Sequence, residues 1–339
     1  MAIYTSTQII GSSMILSSGD IASSMTVADG GSVSVYSGGT ANYTTVNSWG
    51  SLSVFSGGTA NNTTINNGYM DINSGGTANN TTINRGYMDI NSGGTANNTT
   101  VNSGGWMMIN RGGKATNIIA DSGAGLLITV APDTYIQGTS AGSAFEMKDG
   151  HINGYKIADR CEMFVESGGV ASNTYIQQGG WMEINNGGVA NHTTVNSDNS
   201  SGGGMYINNG GVANHTTVSS GGYMRLLGKH GGKLNILSGA TVHVFSETII
   251  DFTVAGQTPG DVALITNWNL ISGAPVYTMT VNANQAAGNY LLATGTASFN
   301  NAITVKTDKD VELGSLSVGT SLTRGNYTYT LRVFTGICG

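Results

Sequence analysis

Charged residues are scarce in this sequence of 339 residues, in which Asp, Glu, Lys and Arg together make up 9%. An ordinary soluble domain has roughly a quarter. The net charge is −6 and the isoelectric point is near 5.2. The sequence also contains no basic stripe, which a nucleic-acid-binding surface would need. The composition therefore predicts a largely neutral surface and no nucleic-acid partner.

Cysteines and long apolar runs are also nearly absent. Cys161 and Cys338 are too few for a disulfide framework, and they lack the spacing of a metal site. No stretch approaches the roughly 18 uninterrupted apolar residues of a membrane-spanning helix, and residues 1–10 lack the pattern of a secretory signal. We therefore expect no cofactor, no metal, and neither an export signal nor a membrane anchor in this chain.

A short repeat is what the sequence has instead. The phrase Ser-Gly-Gly-Thr-Ala-Asn-Asn-Thr-Thr begins at Ser56, Ser74 and Ser92, so the copies are 18 residues apart. A period of 18 or 19 residues cannot contain a helix pair or a propeller blade, and it predicts the coil of a solenoid. Further copies begin at Ser18, Ser37, Arg111, Ser167, Asn186 and Asn209.

Each copy has the pattern of strand, turn, strand, turn. Two alternating apolar runs are separated by Asn-Gly or Ser-Gly-Gly, whose residues supply the positive φ angles of tight corners. Because strand side chains alternate, Met70 and Ile72 should point inward while Tyr69 and Asp71 point outward. Coils stacked about 4.8 Å apart would bury these residues, which predicts an all-β parallel β-helix of about ten coils. The expected internal columns are Ile65, Ile83 and Val101, and Met70, Met88 and Met107.

The repeat also suggests the domain organisation. We expect a repeat β-helix over residues 1–246, with irregular coils at about 130–166, where the register fails. The run of residues 197–204 lengthens one coil and should form a protruding turn. Residues 247–339 have strand-like runs without the repeat, and they predict a C-terminal β-meander or sandwich-like cap, or the start of a further module.

The phrase SGGTANNTTVNSGG, at a period of about 19 residues, resembles the passenger repeats of AIDA-type self-associating autotransporter adhesins of Gram-negative bacteria. The resemblance covers roughly residues 18–245. It implies a right-handed β-helix, a place at the cell surface or secretion, and either self-association or adhesion to a host-cell glycan or protein. It also implies O-heptosylation of repeat serines by a cytoplasmic heptosyltransferase. Periodicity alone allows either hand of the coil.

The family's modified serines can be carried onto this sequence residue by residue. A second position, in the Asn-Ser turn, is occupied by Ser48, Ser103 and Ser197. The copies that begin at Arg111, Asn186 and Asn209 depart from the pattern, and we expect them to be unmodified. The serine of Ser-Gly-Gly falls on Ser37, Ser56, Ser74, Ser92 and Ser167.

Aromatic residues recur at the outward position that precedes an inward methionine. Exposed aromatic rings in a row can stack on sugar rings or pack against a partner solenoid. They can equally form a ladder in which each ring only covers its neighbour. We call these residues the aromatic track and expect it to be a contact surface. Its members are Tyr69, Tyr87, Trp106, Trp181 and Tyr223.

Carboxylates offer an alternative function. Asp71 and Asp89 are one coil apart, and Glu183 occupies the same track further along. Paired carboxylates could form the active site of a lyase or glycosidase that cleaves a polysaccharide, or they could bind Ca²⁺. Repetition alone would also duplicate an aspartate, and no Lys or Arg stacks beside the pair, so we expect a non-enzymatic adhesin. His192 and His215 match in adjacent coils, but no third metal ligand is evident.

Overall fold

The chain folds as a parallel β-solenoid of about 13 turns. The structure, a computed structural model, describes residues 1–196, 203–295 and 299–333. The predicted all-β parallel β-helix is confirmed, and its hand stays a prediction. The turns outnumber the ten or so that the repeats predicted. The chain divides into two compact units, Met1–Ser172 and Asn173–Gly339. Among the described residues there is no helix with the length and hydropathy needed to span a membrane.

The first unit contains 22 strands of two to 14 residues. They are β1 (Ile3–Thr5), β2 (Gln8–Ile10), β3 (Ser13–Leu16), β4 (Ile21–Ser23), β5 (Thr26–Ala28), β6 (Ser32–Val35), β7 (Thr40–Asn42), β8 (Thr45–Val46), β9 (Ser51–Val54), β10 (Thr59–Asn61), β11 (Thr64–Ile72), β12 (Thr77–Ile90), β13 (Thr95–Val101), β14 (Gly105–Ile109), β15 (Lys114–Ala120), β16 (Gly125–Val130), β17 (Tyr135–Ser140), β18 (Ser143–Lys148), β19 (His151–Asn153), β20 (Lys156–Ile157), β21 (Cys161–Val165) and β22 (Val170–Ser172).

Each strand of the regular coils pairs in parallel with the same strand of the next coil. Tyr69 aligns with Tyr87, and Thr77 aligns with Thr95. Like residues therefore stack on like residues, and the inward ones form continuous columns. The two columns described above are buried, with exposed fractions of 0 or 1%. Full burial of each such side chain contributes roughly 1.5–3 kcal/mol to stability.

The Gly-Gly corner has two separate backbone requirements. Gly75 has a φ of 73°, a left-handed conformation that side chains disfavour. A Cβ on the next residue, Gly76, would clash with the carbonyl oxygen of Val54 in the preceding coil. The first glycine therefore allows the turn, and the second allows two coils to approach closely enough to pair.

Side-chain amides form rows on the outside of the first unit. Asn61 donates from Nδ2 to Oδ1 of Asn42 at 2.9 Å, Asn79 donates to Asn61 at 2.9 Å, and Asn97 donates to Asn79 at 3.0 Å. The hydroxyl of Thr116 donates to the last oxygen, on Asn97, at 2.8 Å. We call such rows amide files. Every link donates toward the preceding coil, and the other files are Asn47, Asn66, Asn84 and Asn102; Asn73, Asn91 and Asn110; and Asn80, Asn98 and Asn117.

An antiparallel insertion interrupts the stacking where irregular coils are expected. β17 pairs in parallel with β15, then antiparallel with β18, which in turn pairs antiparallel with β19. On another side of the coil, β16 pairs directly with β21, and Leu126 lies opposite Cys161. None of the strands formed by the chain between them therefore separates β16 from β21.

The second unit begins with regular coils and ends in antiparallel strands. Its strands are β23 (Tyr175–Ile176), β24 (Trp181–Ile184), β25 (Val189–Asn191), β26 (Thr194–Val195), β27 (Gly204–Ile207), β28 (Val212–Val218), β29 (Tyr223–Leu226), β30 (Lys229–Ile236), β31 (Thr241–Val244), β32 (Ile249–Thr253), β33 (Ile271–Ser272), β34 (Val276–Val281), β35 (Ile303–Thr307), β36 (Glu312–Leu316), β37 (Ser321–Arg324) and β38 (Tyr327–Thr330), with a 3₁₀ turn at Trp268–Leu270.

Parallel stacking continues beyond residue 246. β32 pairs with β34 and β34 with β35, both in parallel. Among the described residues of this unit, antiparallel pairing first appears between β35 and β36, and β37 and β38 form a separate antiparallel hairpin. These additional parallel strands account for turns beyond those that the repeat indicates. A separate module over residues 247–339 stays a prediction. The turn expected at residues 197–204 falls largely outside the described residues.

A histidine interrupts an apolar column of the second unit. His230 aligns with Ala213 in the preceding coil and with Ile250 in the next, and it is completely buried. Among the described residues, neither of its ring nitrogens has a hydrogen-bond partner. Burial, with a contribution from nearby His215, lowers its pKa to about 3, and Asp251 opposes this only in part. The folded chain therefore keeps this ring neutral.

We expect His230 to make the second unit sensitive to acid. The unfolded imidazole, with a pKa near 6.5, takes up a proton that the folded state excludes, so wild-type stability should fall as the pH drops from about 6.5 toward 3. At about pH 4.5 the loss is roughly 2–3 kcal/mol, and His230→Leu should remove it. Urea unfolding at about pH 7 and about pH 4.5 measures it, with Ile250→Leu as a control of the same column. An equal effect of His230→Leu at both pH values would contradict the assignment.

Candidate functional site

The serines of Ser-Gly-Gly form an exposed column in the first unit. Ser37, Ser56, Ser74 and Ser92 are all exposed. A Cβ on the first glycine of the following coil would lie 2.7 Å from the hydroxyl oxygen of Ser37, Ser56 or Ser74 and 2.5 Å from that of Ser92. The glycine therefore leaves open the space beside each hydroxyl, and a group attached there meets no side chain from that position.

The remaining candidate serines differ in their surroundings. Ser167 is exposed at an equivalent corner, and Ser103 is exposed beside Gly123. Ser48 is half-buried and accepts a hydrogen bond of 3.1 Å from Nδ2 of Asn67. The hydroxyl oxygen of Ser48 is therefore less available than those of the Ser-Gly-Gly column.

Three rings of the aromatic track stack on successive coils. The centroids of Tyr69 and Tyr87 are 5.5 Å apart with an interplanar angle of 8°, and those of Tyr87 and Trp106 are 6.4 Å apart at 21°. The two tyrosines remain 45% and 46% exposed. Gly125 follows in the register, and the indole lies where its side chain would be. The guanidinium of Arg160 lies 4.9 Å from the centroid of the Trp106 ring.

Asp71 and Asp89 lie beside this track, on the same face of the sheet. They are direct neighbours in the parallel register, and both are half-buried. Burial raises the pKa of Asp71, although a long hydrogen bond of 3.5 Å from Ser53 opposes it. Burial and the charge of Asp71 raise the pKa of Asp89. Among the described residues, neither carboxylate forms an ion pair.

Glu183 lies in the second unit, on β24. Its carboxylate accepts a hydrogen bond from Nδ2 of Asn208 at 2.5 Å. The structure therefore brings together Asp71 and Asp89, and it gives Glu183 a local amide partner instead. A catalytic role for these three residues stays a hypothesis that the described contacts do not favour.

The track is differently built in the second unit. Trp181 aligns with Gly204 and not with another aromatic residue. Tyr206, from the neighbouring column, stacks on Trp181 with centroids 4.0 Å apart at 10°, and Tyr223 lies 5.7 Å from Tyr206. Tyr206 was not predicted as a member of the track because it follows the inward methionine instead of preceding it. Alternation around Met205 was the available signal.

A further ring pair in the first unit was also missed. Tyr36 and Phe55 stack with centroids 4.7 Å apart and an interplanar angle of 8°. Each follows an inward valine at the end of its strand, Val35 or Val54, so the methionine rule did not find them.

The two matching histidines form a stacked pair, and one of the two cysteines is buried. His192 and His215 stack in parallel with centroids 4.7 Å apart. Burial lowers the pKa of His215, and His192 and Lys233 lower it further. No group of three or more His, Cys, Asp or Glu residues that could hold a metal ion occurs among the described residues. Cys161 is buried, which raises its thiol pKa, and Cys338 lies outside the described residues.

Comparison with known proteins agrees with the repeat pattern. The family model described as "Adhesin of bacterial autotransporter system, probable stalk" matches residues 17–69, 37–87 and 137–199. The predicted resemblance is thereby confirmed for these segments. Among solved structures, the TibC-catalyzed hyper-glycosylated TibA55-350 fragment is 28% identical, with 92% of this chain and 99% of that chain covered and a TM-score of 0.44. No curated protein matches the sequence significantly.

Substitution of Asp89 should test the electrostatics of the carboxylate pair. Because the pKa of Asp89 is raised, the folded state disfavours its charge, so Asp89→Asn should stabilise the protein at neutral pH. This advantage should disappear as the pH falls through the folded-state pKa, since Asp89 then becomes neutral. Thermal unfolding across the acidic range measures it, with the exposed Asp121→Asn as control. Destabilisation by Asp89→Asn at neutral pH would instead indicate a favourable partner for the charge.

Proposed function

We propose that this chain is an adhesive stalk segment of a bacterial cell-surface or secreted protein, without catalytic activity of its own. The match of its repeats to an autotransporter adhesin stalk supports this function. The observation that carries it is the presence of both an exposed serine column and an exposed ring track on a solenoid that has few charged residues. Close contact with another surface then requires little desolvation of charge.

Adhesion would use the aromatic track as its contact surface. Stacked rings offer large apolar area together with the polar edges of tyrosine and tryptophan, which suits either sugar rings or a second protein surface. The partner is a second copy of this chain or a host-cell glycan or protein. The exposure of Tyr69 and Tyr87, near half in each case, leaves area available for such a contact.

Modification would use the serine column. We propose that a cytoplasmic heptosyltransferase attaches heptose to Ser37, Ser56, Ser74, Ser92 and Ser167, with Ser103 as a further site. Their exposure supports this assignment, as do the glycines beside five of these six hydroxyls. Ser48, which is hydrogen-bonded to Asn67, should be modified least.

The first measurement of this function is peptide mass mapping of the protein produced with and without a heptosyltransferase. Peptides that contain Ser56, Ser74 and Ser92 should each gain mass in steps of one heptose. Ser74→Ala should remove one step, whereas Ser53→Ala, at a half-buried serine that contacts Asp71, should remove none. Unmodified masses with an active transferase would refute the modification and leave the adhesive role standing.

The second measurement is adhesion after loss of the ring track. Changing Tyr69, Tyr87 and Trp106 together to Ala should lower aggregation or binding to host cells by about ten-fold or more, since truncated hot-spot residues commonly cost 2 kcal/mol or more. The control changes Tyr43 and Trp49 to Ala, which are more exposed, at 62% and 73%, but lie outside the track. Equal effects in both variants would remove the track from the mechanism.

A further inference from the structure

Acidic residues are nearly absent from one part of this acidic chain. Residues 184–246 contain Arg225, Lys229 and Lys233, and Asp198 is their only acidic residue. Four of the five histidines of the chain also occur there. The net charge of the whole chain is −6, so this segment has the opposite sign to the rest. Such a segment attracts anions.

Arg225 is the most constrained cation of this segment. It lies on β29 between the buried Met224 and Leu226, and its side chain points outward. The guanidinium carbon is 4.6 Å from the ring centroid of Phe245 and 5.9 Å from that of Tyr206. Rings of the preceding and following coils therefore hold the planar group in place, which reduces the entropy that it loses on binding a ligand.

The charge of Arg225 has no counterion among the described residues. It forms no ion pair and no hydrogen bond there, and its Nε atom is buried without an acceptor. Arg111 and Arg160 differ, because Arg111 pairs with Asp133 at 3.3 Å and Arg160 donates to the carbonyl oxygen of Gly123 at 3.1 Å. With Nε buried, the two Nη groups of Arg225 are the donors that remain for a ligand, and their planar fork matches a carboxylate.

Aromatic rings adjoin this cation. Tyr206 links Trp181 to Tyr223, and the ring of His243 meets Phe245 edge-on with centroids 4.8 Å apart. Rings beside an unpaired guanidinium offer two complementary surfaces, one for the apolar face of a sugar and one for an acidic group. We call Tyr206, Tyr223, Arg225, His243 and Phe245 the Arg225 cluster.

We propose that the Arg225 cluster binds a carboxylate-bearing saccharide, such as a uronic or sialic acid unit. This inference rests on the proposed adhesive function and names a ligand class for it. The track of the first unit differs, because Asp71 and Asp89 beside Tyr69 and Tyr87 would repel an anionic sugar. The two surfaces therefore have different ligand preferences, and the acidic sugar belongs to the second unit.

The experiment is isothermal titration calorimetry of the full chain with four probes. Hyaluronan tetrasaccharide and sialyllactose carry the carboxylate, while chitotetraose and lactose are neutral controls. At least one acidic probe should bind, its neutral counterpart should bind at least ten-fold more weakly, and added salt should weaken the acidic complex. Arg225→Gln should lower the affinity at least ten-fold, and Arg225→Lys should restore only part of it because lysine lacks the fork. Arg160→Gln, which changes the other ring-stacked arginine, should have no effect.

Three results would overturn the inference: no binding of either acidic probe, equal binding of acidic and neutral probes, or unchanged affinity in Arg225→Gln. A different result is that wild type binds no acidic probe, while Arg225→Gln lowers the fraction of self-associated protein measured by sedimentation. In that case the anion that Arg225 binds is a carboxylate on a second copy of this chain. A parallel cell-adhesion assay distinguishes failure of the proposed ligand class from failure of the proposed adhesive function. Intact adhesion without acidic-sugar binding rejects only the ligand class, whereas loss of wild-type adhesion rejects the proposed function. Circular dichroism of Arg225→Gln and Arg225→Lys should match that of the wild type, which checks that both variants fold.

Discussion

Parallel backbone pairing from one coil to the next is the constraint on which the whole structure depends. The pairing fixes the register, so each side chain lies beside the residue one repeat earlier and one repeat later. Apolar residues then form buried columns, asparagines form hydrogen-bonded files, and tyrosines form stacked rings. The glycine pair at the corner belongs to the same constraint, because any side chain on Gly76 would separate it from the preceding coil.

The scarcity of charge follows from this geometry. In a stack of like residues, an ionised side chain is placed beside its own copy, and like charges in directly opposed positions destabilise a sheet. Asp89 shows part of the effect: burial is the larger cause of its raised pKa, and the charge of the neighbouring Asp71 raises it further. Neutral amides and hydroxyls instead donate and accept at the same time, so they can repeat indefinitely. The regular coils therefore carry few charged side chains, and Asp71 and Asp89 are an exception among neutral rows.

Periodicity was enough to predict whatever depends on register alone. It gave the coil, the buried columns, the adjacency of Asp71 and Asp89, and the stack of Tyr69, Tyr87 and Trp106. It could not predict contacts between neighbouring columns, such as Trp181 with Tyr206 or Arg225 with Phe245, because these depend on side-chain directions and on a missing side chain at Gly204. Nor could it predict the antiparallel β18 or the parallel strands beyond residue 246, since neither retains the repeated phrase. The burial of His230 could not be predicted either, because its alignment with the buried Ala213 is known only once the register is known.

The side-chain dipoles of each amide file point in the same direction along the solenoid. Every Nδ2 group faces the preceding coil and every Oδ1 faces the following one, so the side-chain dipoles add instead of cancelling. In the second unit Asn208 and Asn214 donate in the same sense to Asn185 and Asn191. Each file is thus a row of aligned dipoles, with an unused donor at its N-terminal end and an unused acceptor at its C-terminal end. At Asn97 the hydroxyl of Thr116 donates to this last acceptor. A surface that carries several such rows side by side is polar along the solenoid axis. Two copies packed side by side would therefore have one interaction energy when their chains run in the same direction and another when they run in opposite directions.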